Sequence, residues 1–327
     1  MQAKTTMDQA APRKPMPQTN LIHKSSKLRL WQKIAKDRYF LLMILPGVVW
    51  FFIFSYLPMG GIYIAFTDYF PGQSIFEAEF VGLAWFKDFI SSYYFMRLMR
   101  NTFLISIYSI LWGFPVPILF ALVLNEMRNG PFKKTVQSVS YFPAFISTVV
   151  VVGILHNFLA PDGGIINLLI SRLGMEPKYF MGDPKWFRTI YIASGIWAGF
   201  GFDSIIYVSA ISGINPELYE AATIDGSDRL QKIRYVTLPS IMPTIIILLL
   251  LRLGSLFGVG YEKIIMMYTQ STYETADVIS SFVYRKGLLE TKFGFSTAVG
   301  LFNSVINFAI LIIFNKISKK VTETSLW

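Results

Sequence analysis

Cysteine is absent from the 327 residues, histidine occurs twice, and only 15% of the chain is charged. The first absence removes disulfide frameworks, thiolate metal sites and cysteine nucleophiles. The second leaves His23 and His156, neither with a metal-ligand neighbour at useful spacing, so a zinc site has no ligand set. No GxxxxGK[ST] phosphate loop, HExxH or GxSxG is present. The chain therefore shows no means of cradling a nucleotide phosphate and no nucleophile elbow. An enzyme reading has little to stand on, and energy for uphill work has to come from another subunit or from an ion gradient.

What is abundant is grease. Apolar residues make up 53% of the chain, phenylalanine alone accounts for 29 positions, and the mean hydropathy is +0.47. That is the profile of an all-α polytopic membrane protein. Runs of about 20 apolar residues cross roughly 30 Å of hydrocarbon as helix, and they are expected at 39–66, 103–125, 141–159, 189–214, 240–260 and 297–315. Six transmembrane helices follow. The first run lies too deep in the chain and is too long for a cleaved signal peptide, so it reads as a retained helix. Pro46, Pro115 and Pro117 are expected to kink their helices. The segments 160–188, with PDGG at 161–164, and 261–296 read as partly helical loops.

Before the first helix lies a polar, basic tail, 1–38, whose last part, Leu28 to Ala35, is an amphipathic lead-in. The transmembrane domain occupies 39–320, and 321–327 form a short C-terminal tail. Charge sorts by side. With the N-terminus inside, 18 of the 30 Lys and Arg fall on the cytoplasmic side, where they outnumber the acids by 10, and the outer loops balance to zero. This is the positive-inside bias, so the basic pI of about 9.5 reports topology and not nucleic-acid binding. Both termini are expected in the cytoplasm.

Between the fourth and fifth runs stands a polar insert, ELYEAATIDGSDRLQKIRYVTLPSIMP, Glu217 to Pro243. Asn215 and Pro216 suit an N-cap and first turn, and Glu217 and Glu220 fall where the helix dipole favours acids. Ala221 and Ala222 leave a small face. Gly226 interrupts the helix, and a second short helix carries Leu230, Ile233 and Val236 on one side, with Pro239 and Pro243 opening the next membrane helix. Taken as residues alone, two short cytoplasmic helices at an angle are equally an ordinary solvated loop.

Glu220-Ala221-Ala222, Gly226 four residues after the second alanine, then Val236 and Leu238-Pro239 resemble the EAA loop of binding-protein-dependent ABC importer permeases. Asp225 before the glycine is also typical, and Val236 stands where the family usually has Ile. FVGLAWFKDF at 80–89, RNTF at 100–103 and the stretch 141–170 extend the resemblance to maltose-type sugar permeases, within them the subgroup for complex or acidic oligo- and polysaccharides such as alginate. The resemblance implies a cytoplasmic coupling loop at 215–239, with Glu220, Ala221, Ala222, Asp225, Gly226, Leu238 and Pro239 meeting an ATPase. It implies a second homologous permease subunit, two cytoplasmic ATPase subunits and an extracytoplasmic solute-binding protein as partners in a bacterial plasma membrane. ATP and Mg would be used by the ATPase partner, with no cofactor on this chain.

Two charges lie within the apolar runs, where ionisable groups are costly and usually functional. Asp203 and Arg252 each sit roughly 16–18 Å above the cytoplasmic end of their helices at 1.5 Å per residue. They can pair with one another and fix helix register. Alternatively Phe200, Asp203 and Tyr207, at i, i+3 and i+7, present an aromatic and carboxylate face to a translocation path together with Arg252. An ion-coupled secondary transporter using Asp203 is the rival function, although an EAA loop has no role in one.

Overall fold

The computed structural model describes residues 36–322 with Ser325 and Leu326, so most of the basic tail, including its amphipathic lead-in, lies outside the described residues. The chain divides into two units, one ending at Gly60 and one beginning at Gly61. In the first, α1 (Arg38–Phe51) runs through Pro46 into a π turn at Phe52–Tyr56, and none of its residues is buried. A helix that is apolar all round needs an apolar surrounding.

In the second unit a two-residue strand, β1 (Thr67–Asp68), pairs antiparallel with β2 (Glu79–Phe80), Thr67 opposite Phe80. After α2 (Ala84–Ser91), α3 (Phe95–Gly113) and α4 (Pro115–Glu126) form one long span interrupted at Phe114, because Pro115 has no N–H to continue the ladder. There follow α5 (Pro131–Tyr141), α6 (Thr148–Phe158), α7 (Ile165–Arg172) and the 29-residue α8 (Pro184–Ser212). The insert contains α9 (Pro216–Ile224) and α10 (Arg229–Lys232), and α11 (Leu238–Gly254) leaves it. Three short helices, α12 (Tyr261–Met267), α13 (Tyr273–Ala276) and α14 (Ile279–Tyr284), precede the final α15 (Phe293–Thr322).

Among the described residues, five helices are long and apolar enough to cross a membrane: Arg38–Phe66, Phe95–Glu126, Pro184–Ser212, Arg229–Gly254 and Phe293–Lys320. The third expected span, 141–159, is not a single helix. It is a pair, Pro131–Phe145 and Thr148–Phe158, bent by 99°. Pro143 removes a ladder donor, Ile146 and Ser147 are extended, and the Ser147 hydroxyl caps α6 by accepting from the Val150 N–H at 3.5 Å. The fifth span also differs: it starts at Arg229 rather than 240, so the second helix of the insert and the membrane helix are continuous.

Closest approach inside the bundle depends on small residues, as it does between helices in lipid, where apolar burial supplies little drive. At Gly201 of α8 an added Cβ would collide with the Ser140 backbone of α5. Ala121 and Leu122 of α4, Tyr207 and Ile211 of α8 and Ile241 of α11 form one core cluster. A second is aromatic. Phe89 of α2, 1% exposed, has Phe95 and Phe302 edge-on at ring centroid distances of 5.2 and 5.4 Å, which ties α2 to α15.

The end of α8 remote from the insert is held by polar contacts. The Asp277 side chain is fully buried and accepts two bonds from Arg285, at 2.8 and 2.7 Å, one from Arg97 at 3.3 Å and one from the Ser281 hydroxyl at 2.8 Å. Asn101 of α3 donates to the Glu274 and Asp277 carbonyls, and Arg188 of α8 donates to the Asn101 side-chain oxygen. Burial opposes the charge on Arg285, but its paired bonds to Asp277 more than offset this and raise its pKa above the ordinary value. Asp277→Ala leaves two guanidinium groups without a counter-charge and should cost about 3–5 kcal/mol. Thermal unfolding of the purified protein checks this: a Tm equal to that of the unaltered chain would show the cluster to be dispensable.

Candidate functional site

Three adjoining cavities meet at Arg252, near the C-terminal end of α11. One of about 510 Å³ is lined by Asp203, Tyr207, Arg252 and Ser255; a second of about 230 Å³ by Tyr191, Phe200, Asp203, Arg252 and Lys263; a third of about 230 Å³ by Ser109, Tyr191, Arg252 and Ser255. The expected charge pair forms. An Arg252 Nη2–H donates to Asp203 Oδ2 at 3.2 Å, and the two side chains are 56% and 45% exposed, so the pair stands open to the cavity. A pair this accessible adds little stability. The aromatic residues divide: the Phe200 ring lies edge-on to Phe120 at 5.0 Å, whereas Tyr207 is 3% exposed in the core cluster and cannot serve as a flat stacking platform.

Lys263, on α12, was not among the residues singled out from sequence, since it is 60 positions from Asp203 in a loop whose path no periodicity reveals. Its ammonium donates to the Tyr191 carbonyl at 2.9 Å and lies 4.6 Å from the centre of the Tyr191 ring. Burial pushes its pKa down to about 8, so it remains charged at pH 7. Among the described residues no three His, Cys, Asp or Glu come together as a metal would need.

The insert joins the C-terminal end of α8 to the helix that carries Arg252. Asn215 caps α9 by accepting from the Glu217 N–H at 3.1 Å. The helix stops in a Schellman closure, with the Ser227 N–H donating to the Ala222 carbonyl at 2.9 Å and Gly226 at φ +77°. Asp228 and Gln231 then form a reciprocal capping box that starts α10. A π turn, Ile233–Thr237, carries α10 into α11, and Leu238 and Pro239 lie within one continuous helix rather than at its start. The Tyr219 hydroxyl meets the buried Thr237 hydroxyl at 3.0 Å, so α9 is braced against the π turn.

Ala222 is buried and Ala221 exposed, so the two alanines do not share one small face. The outward surface instead has Glu220, Ala221 and Asp225 beside exposed Leu218, Ile224, Leu230 and Tyr235. Ile224, at 87%, and Leu230, at 74%, are apolar knobs with no cover among the described residues.

Membrane-length helices around an open charged cavity, with a braced and exposed helical insert at one end, are the architecture of a membrane transport subunit. The chain belongs to the binding-protein-dependent transport system inner membrane components, whose family model matches residues 27–323. It is 39% identical to the polygalacturonan/rhamnogalacturonan transport system permease protein YteP of Bacillus subtilis, over 94% of this chain and 96% of that protein. It resembles the crystal structure of a bacterial ABC transporter involved in import of the acidic polysaccharide alginate, with 44% identity, a TM-score of 0.82, and coverage of 90% of this chain and 99% of that one. A crystal structure of a bacterial alginate ABC transporter with an alginate pentasaccharide-bound periplasmic protein matches at 44% identity and TM-score 0.84, over 91% and 100%.

Arg252→Ala should cost less than about 1 kcal/mol of stability, and a double-mutant cycle with Asp203→Asn should give a coupling of the same small size. A Tm loss matching that of Asp277→Ala would make the pair a structural clamp. Because the folded chain lowers the Lys263 pKa from 10.5 to about 8, stability should rise as pH climbs between those values and be lost as pH falls through 8. Lys263→Gln should flatten that part of the stability-pH profile; an unaltered slope would show that another group causes it.

Proposed function

We propose that the chain is the permease subunit of an ATP-driven importer of carbohydrate, set in a bacterial plasma membrane with both termini and the 215–239 insert in the cytoplasm. The observation that carries this reading is the insert: an exposed surface of Glu220, Ala221 and Ile224 on α9 and Leu230 on α10, with α9 braced by Tyr219 against the π turn that leads into α11. The cargo class follows the relatives whose names state polygalacturonan, rhamnogalacturonan and alginate. A second, related permease subunit, two ATPase subunits that use ATP and Mg, and an extracytoplasmic binding protein complete the assembly. This chain binds no cofactor and hydrolyses nothing itself.

The geometry supports a mechanical route. Asp203 is on α8, whose C-terminal end enters the insert, and Arg252 is on the helix that leaves it. From Arg229 to Arg252 that helix spans about 35 Å at 1.5 Å per residue. Movement of docked ATPases would shift both helices at the insert, and the Asp203–Arg252 cavity would open to one side or the other as the two-state bundle responds. The π turn at Ile233–Thr237, where Tyr219 braces α9, is the point at which the insert passes its displacement to this lever.

The test is affinity purification of the tagged chain from gently solubilised membranes, with mass identification of what accompanies it. An ATPase subunit and a second permease are expected, and Glu220→Lys or Ile224→Asp should release the ATPase. Gly226→Val, strained by about 1–2 kcal/mol at a positive φ but with open space around its Cβ, should leave the chain in the membrane while uncoupling ATP hydrolysis from uptake. A chain that purifies alone from every preparation would overturn the reading.

A further inference from the structure

The 230 Å³ cavity holds two cations and one anion: Arg252, Lys263 and Asp203. Charges inside a membrane bundle are costly, and a surplus of one sign is retained where a ligand of the other sign completes it. Neither cation is used up by its partners. Arg252 touches Asp203 through one nitrogen only, at 3.2 Å, and presents a guanidinium fork whose remaining donors have no partner among the described residues. Lys263 spends one N–H on the Tyr191 carbonyl and has two further donors.

One wall of the cavity is lined by small residues beside these groups. Gly195 stands where a Cβ would lie 3.5 Å from Lys263 Nζ, and Gly199 where one would lie 3.6 Å from Asp203 Oδ2. Spaced i, i+4 and i+8 along α8, Gly195, Gly199 and Asp203 form one narrow strip, smooth except for the carboxylate. Tyr191 and Phe200, on the same helix, bring ring surface to the cavity. Aromatic rings with a planar, bidentate cation suit a sugar ring that bears a carboxylate.

We infer that Arg252 and Lys263 form a carboxylate subsite in the translocation path, which takes uronic-acid units of the cargo, with Asp203 acting as a displaceable counter-ion that occupies Arg252 between passages. A uronate carboxylate entering the cavity takes over the guanidinium edge from Asp203 and gains a Lys263 N–H bond. A neutral sugar finds the pair already closed. Arg252 then serves as a filter for charge, not a clamp between helices. The inference rests on the importer reading and names the substrate class of its cavity.

The experiment measures equilibrium binding to the complex purified through the tagged chain, in detergent, by calorimetry. The probes are trigalacturonate and its carboxyl-reduced, neutral counterpart at matched ionic strength. Trigalacturonate should bind more tightly than the neutral trisaccharide and lose affinity as salt is raised. Lys263→Gln and Arg252→Gln should each weaken trigalacturonate by about tenfold or more, as loss of a hydrogen bond to a charged group does, and leave the neutral probe unaffected. Lys263→Arg should retain most of the affinity. Asp203→Asn should tighten trigalacturonate, an opposite sign that a merely structural role for the pair does not produce. Equal binding of both probes, no binding of trigalacturonate, or Gln variants that bind it as the unaltered chain does would overturn the subsite. Because the ATPase and second permease are identified in the same preparation, failure of the subsite with those partners present is distinguishable from failure of the importer reading.

Discussion

A charge withdrawn from water needs a counter-charge, several hydrogen bonds or a wet space, and the arrangement of this bundle follows from that cost. At the end of α8 remote from the insert the solution is complete neutralisation: Asp277, fully buried, is enclosed by Arg285, Arg97 and the Ser281 hydroxyl. That cluster stitches the short helices after α11 to α3, and through Asn101 and Arg188 to α8. Near the middle of the bundle the solution differs. Asp203 and Arg252 meet by a single contact and stay accessible, with Lys263 close by in the same cavity. Buried pairs resist disruption because removing one partner strands the other; open pairs exchange partners at little cost. A static anchor and an exchangeable site thus come from the same residue types in different surroundings.

The second consequence concerns leverage. The two helices carrying Asp203 and Arg252 are the two that flank the insert, so the cavity and the proposed docking surface share the same pair of helices. A Schellman closure at Gly226, a capping box at Asp228 and the Tyr219–Thr237 contact make the insert a rigid corner rather than a loose loop. Rigid corners transmit displacement. Exposed Ile224 and Leu230 then become the apolar anchors of the proposed ATPase contact, because large apolar groups at full exposure are what a partner's pocket desolvates.

Much of this was legible in the residues. Repeated apolar runs specify a helical membrane protein because the hydrocarbon demands satisfied backbone groups. Asn215, Pro216 and Gly226 mark a helix start and stop by local chemistry alone, and both occur where those residues stand. The bend at 143–147 was written in Pro143 and Ser147, yet apolar length over 141–159 outweighed it in a reading by hydropathy. The π turn was hidden for the opposite reason: Pro239 looked like a helix start, while a widened turn before it lets the helix pass through. Tyr207 had the right spacing to join Phe200 and Asp203, but spacing states a face and not what covers it, and α4 and α11 cover it.

The sequence by itself determined what is settled within a few residues or by the solvent: helices of membrane length, the caps of the insert, the class of protein, and which charges had to lie among apolar runs. Tertiary structure alone decided what the charges outside those runs meet. Asp277 with Arg97, 180 positions apart, and Lys263 with Tyr191, 72 apart, are brought together by close helix packing. Electrostatic energy depends on distance and on burial, and neither can be read from separation along the chain.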